Sequence, residues 1–191
     1  KKGIRLIVDE SFLDFAENGL EQSLLEQEFL VEHPHVLVIK SISKSFGVPG
    51  LRLGLMASGD EALVSRMKKD VAIWNINSFA EFFMQIWEKY ASDYRRAMER
   101  FQEVRQDFLQ KLAGLPNLRV VPTQANFVMC EVLAPHSAKA LTEDLLDGYG
   151  ILIKDLSSKT GFDGRAYIRL AIRDQEDNDR MIGALQALLA C

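Results

Sequence analysis

The chain has 191 residues, 48% of them hydrophobic and 26% charged, with a formal net charge of -4. That composition suits one compact domain or two small ones, and an acidic balance without any block of like charge argues against a nucleic-acid surface or a membrane patch. Cys130 and Cys191 stand far apart with no metal or redox spacing, and no apolar run approaches the roughly 20 residues that span a bilayer, so a cytoplasmic protein with small-molecule partners is expected.

The first elements read as a β-α-β unit. "IRLIVDES" and "HVLVIKS" are short apolar runs rich in Val and Ile, and helical spacing at Leu20, Leu24, Leu25 and Phe29 predicts a helix from about Leu20 to Glu32 between them. Continuous apolar strands of this kind belong to parallel sheets covered on both faces, where ligands sit at the carboxyl ends of the strands. Asp9 and Lys44 both stand at such ends. A buried strand starting almost at residue 1 also suggests a piece of a longer protein.

After Gly50, "LRLGLMA" is a third strand candidate, and "SGDEALVSRMKKDVA" reads as a helix with Ser58 and Glu61 as its capping box. From Ser78 a long helical tract begins, with Ser78 and Glu81 as a second capping box, and its apolar phase runs to Leu112 before Gly114 and Pro116 stop it. Its aromatics, Phe79, Phe82, Phe83, Trp87 and Tyr90, are expected in the core rather than in a cofactor box. The remainder alternates: "LRVV", "NFVMCEV", a helix from about Ser137 to Asp147, "GILIKDL", "AYIRLAI", and a last helix from about Asp174 striped by Met181, Ile182, Leu185, Leu188 and Leu189. The fold class is α/β in two parts, residues 1–77 and 78–191, with the long helical tract as the joint.

Several familiar signatures are missing. "GVPGLRLG" lacks the glycine spacing of a dinucleotide or P-loop site, the histidines His33, His35 and His136 form no metal-ligand set, and no nucleophile elbow occurs. What remains is a carboxylate at one strand end, a lysine beyond the next, and Arg52 inside an apparently apolar strand, where an unpaired charge would be costly and an anion is expected nearby. An amine, a carboxylate and a cation at one sheet edge suit pyridoxal phosphate. A solvated loop lysine and a nucleotide-binding α/β domain are the alternatives at this level.

"SISKSFGVPGLRLG" resembles the lysine attachment motif of class I and II pyridoxal-phosphate aminotransferases of fold type I, matching at Ser41, Ser43, Lys44, Gly47, Gly50, Arg52 and Gly54. "VDESFLDF" is similar to the same family's strand-end segment, and "YIRLAIRDQEDNDRMIGAL" to its closing strand and helix. "QANFVM", with Asn126, resembles the small-domain strand of the histidinol-phosphate aminotransferase branch, and "DESFLDF" and "RLAIR" lean toward its threonine-phosphate decarboxylase relatives. The resemblance implies pyridoxal 5'-phosphate joined to Lys44 as a Schiff base, Asp9 at its ring nitrogen, Phe12 at its ring, and Ser41, Ser43 and Arg52 at its phosphate. It implies Arg169 at the substrate carboxylate with Asn126 beside it, amino acid and oxo acid substrates, and a homodimer.

The implied activity is amino transfer, with decarboxylation of the threonine-phosphate type as the alternative and a non-catalytic interaction domain as a further one. Two departures stand out. Phe12 occupies a position where many relatives have tyrosine, and a phenyl ring donates no hydrogen bond. The family's upstream half, with the helix N-terminus that receives the cofactor phosphate, does not precede Lys1, so this chain by itself is expected to lack turnover. Arg173 has two open readings, a substrate phosphate or a surface ion pair.

Overall fold

The computed structural model describes residues 3–190, so Cys191 lies outside the described residues. The chain divides into two compact units, Lys1–Met98 and Glu99–Cys191.

The first unit is built on a three-stranded sheet in the order β1-β2-β3. Strand β1 (Leu6–Asp9) runs parallel to β2 (Val36–Ser41) in the register Asp9↔Ile39, and β3 (Gly54–Ser58) returns antiparallel with Ser41↔Gly54. Val36 and Val38 are the buried centre of β2, whereas Leu6 and Ile7 of β1 remain 52% and 64% exposed. The expected two-sided cover of β1 is therefore absent among the described residues.

The helix expected over 20–32 is only α1 (Gln27–Glu32). The segment before it is held instead by Glu10, a buried carboxylate that accepts from the Ser23 hydroxyl at 2.7 Å and the Leu24 amide at 2.6 Å. Those bonds occupy the groups a helix would need, and Asn18 turns the chain with φ 55°.

Helix α2 (Glu61–Asp70) is capped by Asp60, which accepts from the Leu63 amide at 3.0 Å, not by Ser58. The Ser58 hydroxyl donates to the Val36 carbonyl at 3.0 Å and so closes the strand pair. Helix α3 (Ser78–Ala113) starts at the expected residue, but Asn77 is the cap: its Oδ1 accepts from the Ala80 amide at 3.0 Å while its Nδ2 donates to the Leu51 carbonyl at 2.8 Å. The aromatic stripe on α3 splits. Phe83, Trp87 and Tyr94 gather round Phe46, while Phe79 and Phe82 are 78% and 60% exposed. Among the described residues only one aromatic row is covered, and Tyr90, also expected in the core, is exposed.

The second unit is a four-stranded sheet in the order β4-β5-β7-β6, formed by β4 (Leu118–Val121), β5 (Phe127–Val132), β6 (Lys154–Asp155) and β7 (Tyr167–Ala171). Every pairing is antiparallel. One face carries Val128, Cys130, Ile168 and Leu170, all fully buried with Phe108 and Leu112 of α3, with α4 (Ala138–Tyr149) and with α5 (Gln175–Leu189). Each such side chain contributes about 1.5–3 kcal/mol of burial. Alternation sends Arg169 and Ala171 to the open face. Ser137 and Asp174 cap α4 and α5 through the Ala140 and Asp177 amides, at 3.1 and 2.9 Å. "GILIKDL" shortens to the two residues of β6.

Candidate active site

In the first unit, six of the expected residues collect at one rim of the sheet. Asp9 ends β1 and Ser41 ends β2, and because these strands are parallel both ends point the same way. The antiparallel β3 starts opposite Ser41, so Arg52, two residues before Gly54, stands at that rim as well. Ser11, which the motif reading passed over, binds the two strand ends together. Its amide donates to Asp9 Oδ1 at 2.9 Å, and its Oγ accepts from the Ser41 amide at 3.0 Å.

Asp9 is exposed. Hydrogen bonds from the Ser11 side chain and backbone hold its carboxyl below the usual carboxylate range and outweigh a small opposing effect of burial, so it is an anion at neutral pH. Such a group suits a neighbouring ring nitrogen that must keep its proton.

Lys44 lies on the turn beyond β2. Ser43 and Ser45 on either side of it are buried at 6% and 8% exposure, whereas Lys44 is exposed. The turn closes when the Gly47 amide donates to the Lys44 carbonyl at 3.3 Å, with Gly47 at φ 66°, a conformation glycine adopts without strain. Lys44 Nζ stands 5.7 Å from the centre of the Phe12 ring. Phe12 thus offers the lysine a π face in place of a hydroxyl.

Arg52 corrects an expectation. It is not inside a strand: it follows the 3-10 turn Pro49–Leu51 in the left-handed conformation, φ 52° and ψ 39°, and is exposed. Its guanidinium donates to the Pro49 carbonyl at 3.5 Å. No buried charge demands an anion there, and its bearing on the site comes from its place at the rim.

Under the lysine turn lies a polar cluster that the sequence did not reveal. Asp14 is 3% exposed; its Oδ2 accepts from the Ser45 hydroxyl and the Tyr94 hydroxyl, each at 2.6 Å, and its other oxygen pairs with Lys40. Burial by itself would raise the Asp14 pKa. The bonds from Lys40, Ser45 and Tyr94 outweigh it and leave the carboxyl below its ordinary value. Burial and the Asp14 carboxylate push Tyr94 far above the ordinary tyrosine range. Asp14 lies in "VDESFLDF", Lys40 in "HVLVIKS" and Ser45 in "SISKSFGVPGLRLG", but nothing in those stretches joins them, and Tyr94 is 80 positions from Asp14.

In the second unit, Arg169 sits on the open sheet face with its guanidinium 5.2 Å from the Phe127 ring centre. The Asn126 carbonyl accepts from the Ile172 amide at 3.0 Å, which sets Asn126 beside β7. Lys154 is the cross-strand partner of Arg169. Directly opposed residues share a face, so two exposed cations stand side by side, an arrangement that costs stability unless an anion meets them. Arg173, by contrast, lies just before α5 and pairs with Asp177 in that helix's first turn, in an exposed ion pair.

A lysine turn, an ionised aspartate and serines thus stand at the carboxyl rim of the first unit's sheet, and the fold is that of fold type I enzymes. The chain belongs to the class I and II aminotransferase family, whose sequence model matches residues 1–185; these are pyridoxal-phosphate-dependent enzymes. Among its relatives, the CMP-5'-(3-aminopropyl)phosphonate synthase of Streptomyces rubellomurinus is 34% identical, the match covering 97% of this chain and 29% of that protein. The L-serine phosphate decarboxylase of Sulfurospirillum multivorans is 32% identical, over 97% of this chain and 47% of the other.

The solved structure of a decarboxylase from Sulfurospirillum multivorans superposes with a TM-score of 0.85 at 32% identity, over 97% of this chain and 47% of that one. The histidinol-phosphate aminotransferase from Clostridium acetobutylicum gives 0.84 at 24% identity, over 97% and 54%. The chain therefore spans about half or less of the length of the proteins it matches. Among the described residues no helix is long and apolar enough to cross a membrane, and no cluster of metal-ligating side chains occurs.

Proposed function

We propose that the protein carrying this chain is a pyridoxal-phosphate-dependent enzyme that removes the α-carboxylate of an amino acid bearing a second anionic group, such as a phosphate. The observation that carries this reading is the shared rim of Asp9, Ser41, Lys44 and Arg52, two anchored strand ends beside an exposed amine. These residues fit the cofactor: Lys44 would hold it covalently, the Asp9 carboxylate would keep the ring nitrogen protonated, Phe12 would contact the ring, and Ser41, Ser43 and Arg52 would take the phosphate. Bound there, the group supplies an electron sink for the pair left behind when a bond at the substrate α-carbon breaks.

The chain's own residues do the rest. The Lys44 amine is the group that would move a proton at the α-carbon. In the second unit, Arg169 and Lys154, with Asn126 near them, offer cations to the substrate's two anionic groups. Carbon dioxide leaves when the α bond that breaks is the one to the carboxylate, and the proton that replaces it on the α-carbon comes from Lys44.

The name of the serine-phosphate relative supports this order. Amino transfer is the second reading, favoured by the family's own description; in it the same lysine takes the α-proton. The test is to incubate the complete protein with O-phosphoserine or O-phosphothreonine labelled at C1, and separately with amino donors and 2-oxo acids. Release of labelled carbon dioxide supports decarboxylation, and a new amino acid from the oxo acid supports transfer. Neither product from the wild type, or either product undiminished in Lys44→Ala, would sink the proposal.

A further inference from the structure

We infer that Asp14 is a positioning residue for Lys44, its buried carboxylate fixing the turn from which the lysine projects. This deepens the reading above and rests on it. Four segments meet on that one carboxylate: the turn after β1 supplies Asp14, β2 supplies Lys40, the lysine turn supplies Ser45 and α3 supplies Tyr94. Ser45 adjoins Lys44 directly. With Ser43 and Ser45 both drawn inward, the side chain between them has to face out.

The next residue is pinned from the same side. Phe46 stacks on Tyr94 at 4.5 Å between ring centres with 8° between planes, and meets Trp87 at 4.4 Å. Asp14 also belongs to the turn that presents Phe12 to the lysine amine. One anion thus sets both the direction of Lys44 and the ring it stands over.

A purely structural link would not need this chemistry. Apolar packing of equal volume usually holds segments at least as well as a buried ion pair, and a fully satisfied polar network gains chiefly in fixed geometry. Functional side chains need that support to within a fraction of an ångström.

The test uses the complete protein and three variants: Ser45→Ala, Tyr94→Phe, which keeps the ring stack, and Asp14→Asn. The rate of covalent capture of pyridoxal phosphate is read by timed borohydride reduction and mass spectrometry of the Lys44 peptide. Affinity without the covalent bond is read with pyridoxamine phosphate, which cannot attach. Capture is expected to slow about tenfold or more in the variants, since small misplacements of a reacting group are costly, with pyridoxamine phosphate affinity within about twofold. Leu141→Ala, a core change in the other unit, serves as a control for lost stability and leaves both readings unchanged. If Asp14→Asn does not fold, the two hydroxyl variants carry the test. Capture at the wild-type rate in the folded variants overturns the positioning role while leaving the function intact; absence of label on Lys44 in the wild type overturns both.

Discussion

Tyr94→Phe isolates one bond of the cluster under the lysine turn. It removes a hydroxyl that donates to Asp14 at 2.6 Å and leaves the ring on Phe46. A hydrogen bond to a charged group contributes about 1.5–3 kcal/mol, and because Tyr94 is only half-buried the lower part of that range, about 1.5–2 kcal/mol, is the expected loss. With a urea dependence of about 1.5 kcal/mol per molar for a unit of this size, the midpoint falls by roughly 1 M.

Tryptophan fluorescence reads this locally, because Trp87 lies in the aromatic cluster while Trp74 is 92% exposed and changes little on unfolding. The pH dependence follows from both partners. The Asp14 pKa is lowered by folding, so its contribution is complete above the ordinary aspartate value near ~4 and fades as the pH falls through the lower folded value. The Tyr94 pKa is raised, so its contribution is complete below about pH 10 and fades as the pH climbs toward the higher folded value. The gap between wild type and variant is therefore flat between about pH 5 and 9 and narrows on both sides. A gap under about 0.5 kcal/mol at pH 7, or one that peaks sharply inside that plateau, would refute the reasoning.

Further outcomes follow from the same geometry. Gly59→Ala puts a methyl carbon 1.9 Å from the Leu30 carbonyl oxygen, so the backbone must shift and thermal unfolding should show a loss of about 2 kcal/mol or more. Leu170→Ala opens a cavity in the second unit's core and costs about 2–5 kcal/mol in denaturant titration. Arg173→Ala breaks only an exposed pair, so stability changes by less than about 0.5 kcal/mol, and substrate KM stays put if the phosphate is held elsewhere. Lys154→Ala raises KM for a phosphorylated amino acid about tenfold while leaving cofactor capture unchanged.

Most of the fold was legible because its signals are local. Alternation in "AYIRLAI" and apolar runs in "HVLVIKS" marked strands, and α4 and α5 begin next to Ser137 and Asp174, where the sequence places their starts. The failures have a common cause, competition for a side chain. Ser58 has the right type and spacing for a cap but spends its hydroxyl on β2, and the residues from Leu20 to Leu25 have helical spacing yet are held by Glu10 at Ser23 and Leu24. Arg52 looked interior because a strand was extended three residues too far back, across a left-handed turn. The Asp14 cluster was illegible for another reason: its members are ordinary residues whose meaning comes from meeting across 26, 31 and 80 positions.

The two units present their charges in different ways, and the difference follows from strand direction. In the first, parallel β1 and β2 deliver their last residues to one rim, so Asp9 and Ser41 become neighbours without being close in sequence. In the second, antiparallel strands alternate faces, so Arg169 and Lys154 meet by register and not by strand end. A rim can seat a ring between an anion and an amine, since groups from separate strands approach it from different sides; an open face offers a flat row of cations suited to the oxygens of a flexible substrate. Reversing the polarity of either sheet would scatter its set. The chemistry proposed for Lys44 thus depends on β1 staying parallel to β2, which is why the Ser11 bridge between their ends belongs to the site as much as to the fold.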